Sequence, residues 1–189
     1  DYFYHKIIPD IIISPCFLSE DIRDNNLRKK IRRVGPIVRL NIKKRMKKKI
    51  KRGAIMLSGS NFGVNVKLKN KKQLYNLDII GRSKPQNWQH KEGVIFHGKI
   101  KDNIALLNNI DFCVVNGGYS ALSELFWAEV PMIVIPVPNH SEQWTNAKQI
   151  VHAGCGILGN EENYEDLITE LNKNFEKYEN NYDALKIDN

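Results

Sequence analysis

The feature that most constrains this chain is a short strand, a double glycine and a helix in direct succession. Residues 112–115 form the apolar run Phe-Cys-Val-Val, and Asn116-Gly117-Gly118 follows it at once. Such a run ending in a turn predicts a buried parallel strand. Apolar residues then recur at helical spacing up to Phe126, which predicts a helix over residues 120–129. The order strand, turn, helix favours an α/β fold.

A second unit of the same kind follows immediately. Residues 132–135 predict a strand that Pro136 closes, and residues 142–152 predict a helix that Gly154 ends. In an open parallel sheet, strand carboxyl ends and helix N-termini meet at one edge, where ligands bind. We therefore predict a doubly wound, Rossmann-like parallel sheet with a ligand crevice at this edge.

The polar residues at these strand ends suit a phosphorylated sugar ligand. Gly117 and Gly118 would let the backbone approach a phosphate, and Ser120 can cap the helix or donate to a phosphate oxygen. A carboxylate at Glu124 can accept two hydrogen bonds from a vicinal diol such as ribose. Taken alone, however, the same residues also fit a tight turn followed by a solvated helix.

Three motifs together carry a family resemblance. They are Asn-Gly-Gly-Tyr-Ser-Ala-Leu-Ser-Glu at 116–124, Val-Pro-Met-Ile-Val-Ile-Pro at 130–136 and Glu-Gln-Trp-Thr-Asn-Ala at 142–147. In this order they resemble the donor signature of GT-B glycosyltransferases that use nucleotide sugars. The signature is similar to that of plant and animal UDP-glycosyltransferases and of glycosyltransferase family 28, which includes the lipid-linked N-acetylglucosaminyltransferase of peptidoglycan synthesis.

The resemblance implies a role for each matching residue. Glu124 would bind the donor ribose, the glycine turn and its helix the diphosphate, and the pair Glu142 and Gln143 the sugar. Asn116 stands where many members have His, and Glu142 where Asp is commoner. Two further positions come from earlier loops. Ser60, in the loop 58–63, would lie near the phosphates, and Ile100 would offer its backbone to the uracil base.

The implied reaction is transfer of a hexose or N-acetylhexosamine from a UDP-sugar to an acceptor hydroxyl. No cofactor or metal is implied, because such enzymes use helix dipoles and side chains at the leaving diphosphate. The family's catalytic base comes from the acceptor domain, so none is nominated here. Two alternatives stay open: a UDP-N-acetylglucosamine epimerase of the same architecture, and a UDP-sugar-binding subunit that needs a separate acceptor-domain partner.

The same resemblance divides the chain into three parts. Residues 1–40, with Val-Gly-Pro-Ile-Val-Arg at 34–39, look like the end of the N-terminal acceptor domain and the hinge. A basic linker helix is predicted over 41–52 and the donor-binding domain over 53–189. An amphipathic helix is predicted from Tyr164 to Tyr178, whose apolar face would pack on its own sheet or against an absent partner.

The net charge of +8 comes from one segment. Residues 28–52 hold 14 basic and no acidic residues, which leaves 15 basic against 21 acidic elsewhere, a net charge of −6. Ile42, Met46 and Ile50 recur there at helical spacing, which suggests a helix on an anionic membrane or docked on its own domain. Nucleic acid is disfavoured as a partner, because no aromatic residue interleaves with the lysines.

The remaining composition excludes several other classes. Cys16, Cys113 and Cys155 form no paired motif, and neither they nor the five histidines have the spacing of metal ligands. Cys113 and Cys155 are therefore expected to act as small apolar residues. No apolar run approaches the roughly 20 residues of a membrane span, and no signal-peptide pattern opens the sequence. We expect a cytoplasmic protein, with peripheral membrane contact through 28–52.

Overall fold

A computed structural model describes residues 9–18, 25–46, 50–57, 75–81 and 92–185. Its strands are β1 (Ile12–Pro15), β2 (Ile31–Val34), β3 (Arg52–Met56), β4 (Asn76–Ile80), β5 (Val94–Gly98), β6 (Phe112–Val115), β7 (Met132–Val134) and β8 (Gly156–Leu158). Its helices are α1 (Asn25–Lys30), α2 (Ile104–Leu107), α3 (Tyr119–Trp127), α4 (Ser141–His152), α5 (Tyr164–Lys173) and α6 (Phe175–Ala184). None of these helices combines the length and the apolar character that crossing a membrane requires.

The main sheet has six strands in the order β5-β4-β3-β6-β7-β8, and every neighbouring pair is parallel. The chain first builds outward from β3 to β5 and then returns to build outward from β6 to β8. The order therefore reverses between β3 and β6, where Gly53 pairs with Phe112 and Met56 with Val115. This is the doubly wound arrangement of the Rossmann fold, and it confirms the predicted fold class.

Alternate residues of each strand enter two separate cores. On β6, Cys113 and Val115 face a core that also contains apolar side chains of α3 and α4, whereas Phe112 and Val114 face the core under α5. All four side chains are almost completely buried. A strand buried on both faces reads as a continuous apolar run, which is why residues 112–115 were recognisable in the sequence.

The C-terminal part of the chain forms two helices where one was predicted. Helices α5 and α6 are separated at Asn174, whose backbone lies outside the helical region at φ −107° and ψ 19°. Tyr178 packs in the same core as α5, but Tyr182 enters the other core and donates a hydrogen bond of 3.0 Å to the backbone oxygen of Val130. The apolar face thus packs on the chain's own sheet.

The basic segment does not form the predicted linker helix in its described part. Residues 42–46 have no regular secondary structure, and Asn41 adopts a left-handed backbone at φ 73°. Ile42 is buried in the core beside α3, whereas Met46 is 69% exposed, so the two side chains do not share a face. Contacts with the domain replace helical hydrogen bonds here. Residues 47–49 lie outside the described ranges.

Arg45 holds this segment on the domain. Its side chain is only 6% exposed, pairs with Glu179 and lies 4.8 Å from the ring centroid of Phe175. Its backbone N–H donates to the oxygen of Ala128 at 2.7 Å. The charge of Arg45, which was predicted to face a partner, is therefore neutralised within the fold.

Strands β1 and β2 form a separate two-stranded parallel sheet. Phe17, just after β1, is buried against α3, with its ring centroid 5.4 Å from that of Phe126. Ile13 on β1 and Ile11 just before it are more than half exposed. The assignment of residues 1–40 to the end of another domain stays a prediction.

Candidate functional site

A cleft of about 780 Å³ lies at the carboxyl ends of the central strands, where the strand order reverses. Its floor includes Met56 from β3, Ile80 from β4 and Val115 from β6. This is the place at which doubly wound sheets bind their ligands. The cleft brings together six of the residues predicted from the sequence, which are Ile100, Asn116, Gly118, Ser120, Glu124 and Gln143.

The two glycines of the turn have different roles. A Cβ atom on Gly117 would lie 2.4 Å from the backbone oxygen of Gln143, so Gly117 is required for packing against α4. Gly118 lines the cleft, and a Cβ there would meet nothing within 4 Å. Only Gly118 therefore fits the predicted close approach of the backbone to a phosphate.

Helix α3 begins at Tyr119, one residue earlier than predicted. Gly118, with φ −68° and ψ 129°, is its N-cap, so Ser120 is a residue of the first turn and not the cap. Ser120 is exposed and lines the cleft. The first turn of a helix has backbone N–H groups without helical acceptors, and these groups favour an anion.

Gln143 and Asn146 connect α4 to the glycine turn. The Oε1 atom of Gln143 accepts hydrogen bonds from the N–H groups of Gly117 at 3.2 Å and Val137 at 3.0 Å. Asn146 donates to the oxygen of Gly117 at 3.0 Å. Because a carbonyl oxygen has two lone pairs, Gln143 can offer a ligand only its Nε2 donor. Asn146 belongs to the motif at 142–147, but it is not among the predicted functional residues.

Asn116 has a structural partner as well as a place in the cleft. Its side chain is buried, and Nδ2 donates to the backbone oxygen of Ile135 at 2.9 Å. This hydrogen bond joins the ends of β6 and β7, so the asparagine supports the floor of the cleft. One of the two N–H donors of its amide is engaged there.

Besides Gly117, one predicted residue of the described part does not line the cleft. Glu142, next to Gln143 on α4, is exposed and is not part of the cleft lining, since adjacent helical residues point about 100° apart. Its role in binding a sugar stays a prediction. Ser60 and the loop 58–63 lie outside the described residues.

Glu124 lies inside the cleft with its carboxylate paired to Arg39. The Nε atom of Arg39 donates to Oε1 at 2.5 Å, and Nη2 donates to Oε2 at 2.8 Å. The side chain of Glu124 is 9% exposed, whereas that of Arg39 is 41% exposed. The hydrogen bond to Glu124 raises the pKa of Arg39 above its ordinary value.

Arg39 was missed as a site residue because it was assigned to the hinge by resemblance and to the basic segment by its charge, and neither assignment placed it at the donor site. Lys99 and Lys101 were also missed, although they flank Ile100 and line the same cleft. The only sequence signal for them was their position beside a residue of the predicted base-binding loop. The cleft lining therefore holds three cations, Arg39, Lys99 and Lys101, as well as the carboxylate of Glu124, which suits an anionic ligand that also carries hydroxyl groups.

A family model described as the glycosyltransferase family 28 C-terminal domain matches residues 64–187, well over half of the chain. This range contains all six predicted residues that line the cleft, whereas four other lining residues lie before it: Ile37, Val38, Arg39 and Met56.

Curated relatives match over parts of the chain. The UDP-N-acetylglucosamine--N-acetylmuramyl-(pentapeptide) pyrophosphoryl-undecaprenol N-acetylglucosamine transferase of Prochlorococcus marinus (strain MIT 9312) is 31% identical over 129 residues, which cover 62% of this chain and 35% of that protein. An uncharacterized glycosyltransferase of Methanopyrus kandleri is 35% identical over 57 residues, which cover 30% of this chain and 17% of that protein. The chain thus spans about a third or less of the length of these relatives.

Solved structures share the fold at low sequence identity. The spinosyn forosaminyltransferase SpnP superposes with a TM-score of 0.62 at 10% identity, over 92% of this chain and 49% of that chain. The glycotransferase of kitacinnamycin gives a TM-score of 0.60 at 19% identity, over 84% of this chain and 45% of that chain. Both likenesses concern the fold alone.

Proposed function

Because this chain belongs to the family of glycosyltransferase family 28 C-terminal domains, we propose that it is the donor-binding half of an enzyme that transfers a sugar from a UDP-sugar to an acceptor hydroxyl. The observation that carries this proposal is the cleft at the reversal of the strand order. There Glu124, the open turn at Gly118 and the amide of Gln143 face one space.

Each part of a nucleotide sugar has a matching group in this cleft. The carboxylate of Glu124 suits the two ribose hydroxyls, and the backbone at Gly118 and the first turn of α3 suit the diphosphate. The Nε2 donor of Gln143 suits a sugar hydroxyl oxygen. The loop that carries Ile100 follows β5 and would take the uracil base.

We propose that binding needs no metal ion. Lys99 and Lys101 supply positive charge at the cleft, and the N-terminus of α3 adds its partial positive charge. Together these groups can balance the diphosphate and stabilise it as a leaving group.

Calorimetric titration with UDP and a set of UDP-sugars, in buffer containing EDTA, tests the donor site. We expect the 189-residue chain to bind UDP under these conditions, and the ranking of the sugars then identifies the donor. Glu124→Ala should weaken UDP binding by about 1.5–3 kcal/mol, the range for a hydrogen bond to a charged group. Binding that requires added magnesium or manganese, or a folded Glu124→Ala protein that binds like wild type, would contradict the proposal.

The acceptor wall and the catalytic base are proposed to come from an acceptor domain outside residues 53–189. General base catalysis requires a base within hydrogen-bond reach of the acceptor hydroxyl. The residues assigned to the cleft are all proposed to bind the donor. We therefore expect the 189-residue chain alone to bind the donor without transferring sugar. Efficient transfer to a lipid or sugar acceptor by the purified chain would overturn this division of roles.

A lipid-linked acceptor is proposed from the basic segment. The Prochlorococcus relative acts, by its name, on an undecaprenol-linked acceptor. In this chain Leu40 is 87% exposed and Met46 69% exposed, and lysines lie between them. Each basic residue near an anionic surface contributes about 1 kcal/mol, so a few would give measurable peripheral binding.

Vesicle sedimentation tests this membrane contact. Binding to phosphatidylglycerol vesicles should fall steeply between low and physiological salt, because exposed charges are screened within about 8 Å at 0.15 M. Neutral vesicles should bind weakly at any salt, and changing Lys47, Lys48 and Lys49 together to Glu should abolish the binding. A wild-type chain that binds RNA but no anionic vesicle would assign the segment to nucleic acid.

A further inference from the structure

Arg39 spans the cleft between two of its walls. Besides the pair of hydrogen bonds to Glu124 on α3, its Nη1 atom donates to Oδ1 of Asp102 at 3.2 Å and its Nη2 atom to Oδ1 of Asn103 at 2.6 Å. Asp102 is itself fixed at the start of α2, where Oδ1 accepts from the N–H of Ile104 at 3.0 Å. Four of the five N–H donors of the guanidinium are thus engaged.

The geometry of the pair with Glu124 leaves the carboxylate open to a second partner. Nε and Nη2 are the two parallel donors of the guanidinium fork, and each uses one oxygen of Glu124. A carboxylate has about four lone-pair sites, two on each oxygen. One lone pair therefore remains on Oε1 and one on Oε2, which is the number that two vicinal hydroxyls require.

We propose that Arg39 is a positioning residue, which holds Glu124 in the orientation that receives the ribose diol. This inference rests on the proposed UDP-sugar site. Glu124 is nearly buried, and without a cation beside it the carboxylate would turn towards other donors or towards water. Because four donors fix Arg39 itself, it can hold the carboxylate without moving when the nucleotide enters.

Two other roles for Arg39 make different predictions. If the guanidinium bound the diphosphate, its loss would weaken every phosphorylated ligand, with or without ribose hydroxyls. If it competed with ribose for Glu124, its loss would strengthen UDP binding. A positioning role requires that the loss weaken only those ligands that reach Glu124.

Calorimetric titration of the 189-residue chain with UDP and with 2′,3′-dideoxy-UDP separates these roles. Arg39→Ala is expected to weaken UDP about tenfold, the scale of one hydrogen bond to a charged group, and 2′,3′-dideoxy-UDP less than about twofold. In a Glu124→Gln background, Arg39→Ala should change UDP affinity less than about twofold, because Arg39 affects UDP binding only through the carboxylate of Glu124. Arg32→Ala, at an exposed position on β2, is the control for lost charge.

The outcomes are distinct. Equal losses on both ligands, tighter UDP binding, or unchanged UDP binding by Arg39→Ala would each overturn the positioning role while leaving the donor site intact. A wild-type chain that does not bind UDP would overturn the proposed function and this inference with it. Arg39→Lys keeps the charge but has no fork, so it should bind UDP more weakly than wild type and provides the same comparison if Arg39→Ala does not fold.

Discussion

A Cβ atom at residue 117 would stand 2.4 Å from the backbone oxygen of Gln143 and 2.8 Å from its Cβ atom, so the turn after β6 and the start of α4 touch through their main chains. At the next residue, Gly118, the same added atom would meet no protein atom within 4 Å. Gly117 is thus required for packing, whereas Gly118 leaves space that a ligand can use.

Alanine at Gly117 should therefore mainly lower stability, whereas alanine at Gly118 should mainly weaken UDP binding. Gly117→Ala is expected to destabilise the fold by about 1–3 kcal/mol, the cost of overpacking, because backbone atoms must move. Gly118→Ala should cost less than about 1 kcal/mol, since its backbone angles suit alanine. It should nevertheless weaken UDP binding severalfold. Urea unfolding measures the stability of both variants, and titration measures their UDP affinity. A Gly118→Ala protein with wild-type affinity would show that the turn is not part of the phosphate site.

Gln143→Glu tests the donor-only role of this side chain. A glutamate keeps an oxygen for the N–H groups of Gly117 and Val137, so the turn should stay intact, but it has no Nε2 donor for a sugar hydroxyl. We expect the preference for a UDP-sugar over UDP to fall by the value of one hydrogen bond, about 0.5–1.5 kcal/mol. The ratio of the two affinities is the measurement, because the added charge affects both ligands. An unchanged ratio would show that Gln143 does not touch the sugar.

The buried pair of Arg45 and Glu179 should be important for stability. Removing one partner of a buried ion pair costs about 3–5 kcal/mol, because the other charge is left uncompensated. Arg45→Ala should therefore lower the free energy of unfolding by this amount. Lys44→Ala is the matched control: Lys44 pairs with Glu129 at 3.1 Å but is 40% exposed, and exposed pairs contribute about 0–1 kcal/mol. If urea unfolding showed equal, small decreases in the free energy of unfolding for both variants, the proposed role of burial would be wrong.

The ionised carboxylate of Asp78 should make the stability of the fold decrease in acid. Burial alone would raise its pKa, but hydrogen bonds from Arg52 and His97 outweigh burial and hold the pKa of Asp78 below its ordinary value of 3.8. A carboxyl with a lowered pKa in the folded state contributes stability above the unfolded value and loses it as pH falls through the folded value. Thermal unfolding should therefore show less loss of stability below about pH 4 in Asp78→Asn than in wild type. Parallel acid profiles for the two proteins would contradict this.

The cysteines behave as the sequence indicated. Burial raises the pKa of the Cys155 thiol to about 12 and raises that of Cys113 as well, so both are protonated at neutral pH. These positions could be predicted because Cys113 lies in a continuous apolar run and Cys155 lies between two glycines. The same holds for β6, β7 and α4, whose predicted bounds lie within about one residue of the observed ones.

The linker and Arg39 could not be predicted in the same way. The helical spacing of Ile42 and Met46 is a local pattern, but the backbone N–H groups of this segment bond to distant groups, such as the side chain of Asn108 and the oxygen of Ala128. Arg39 lies 85 residues from Glu124, so no periodicity connects them. Long-range hydrogen bonds overrode local propensity at both places.

The pairing of β3 with β6 has a consequence for how the protein comes to function. This central contact joins two three-stranded halves of the sheet, β3 to β5 and β6 to β8, through residues that are far apart in the chain, and non-local parallel pairing is slow to form. Neither half has a complete floor for the cleft, since Met56 comes from one and Val115 from the other. A nucleotide held there would bridge the seam and stabilise the joined state by mass action. Ligand occupancy should accordingly protect the amides of these two strands from hydrogen exchange before those of the outer strands β5 and β8.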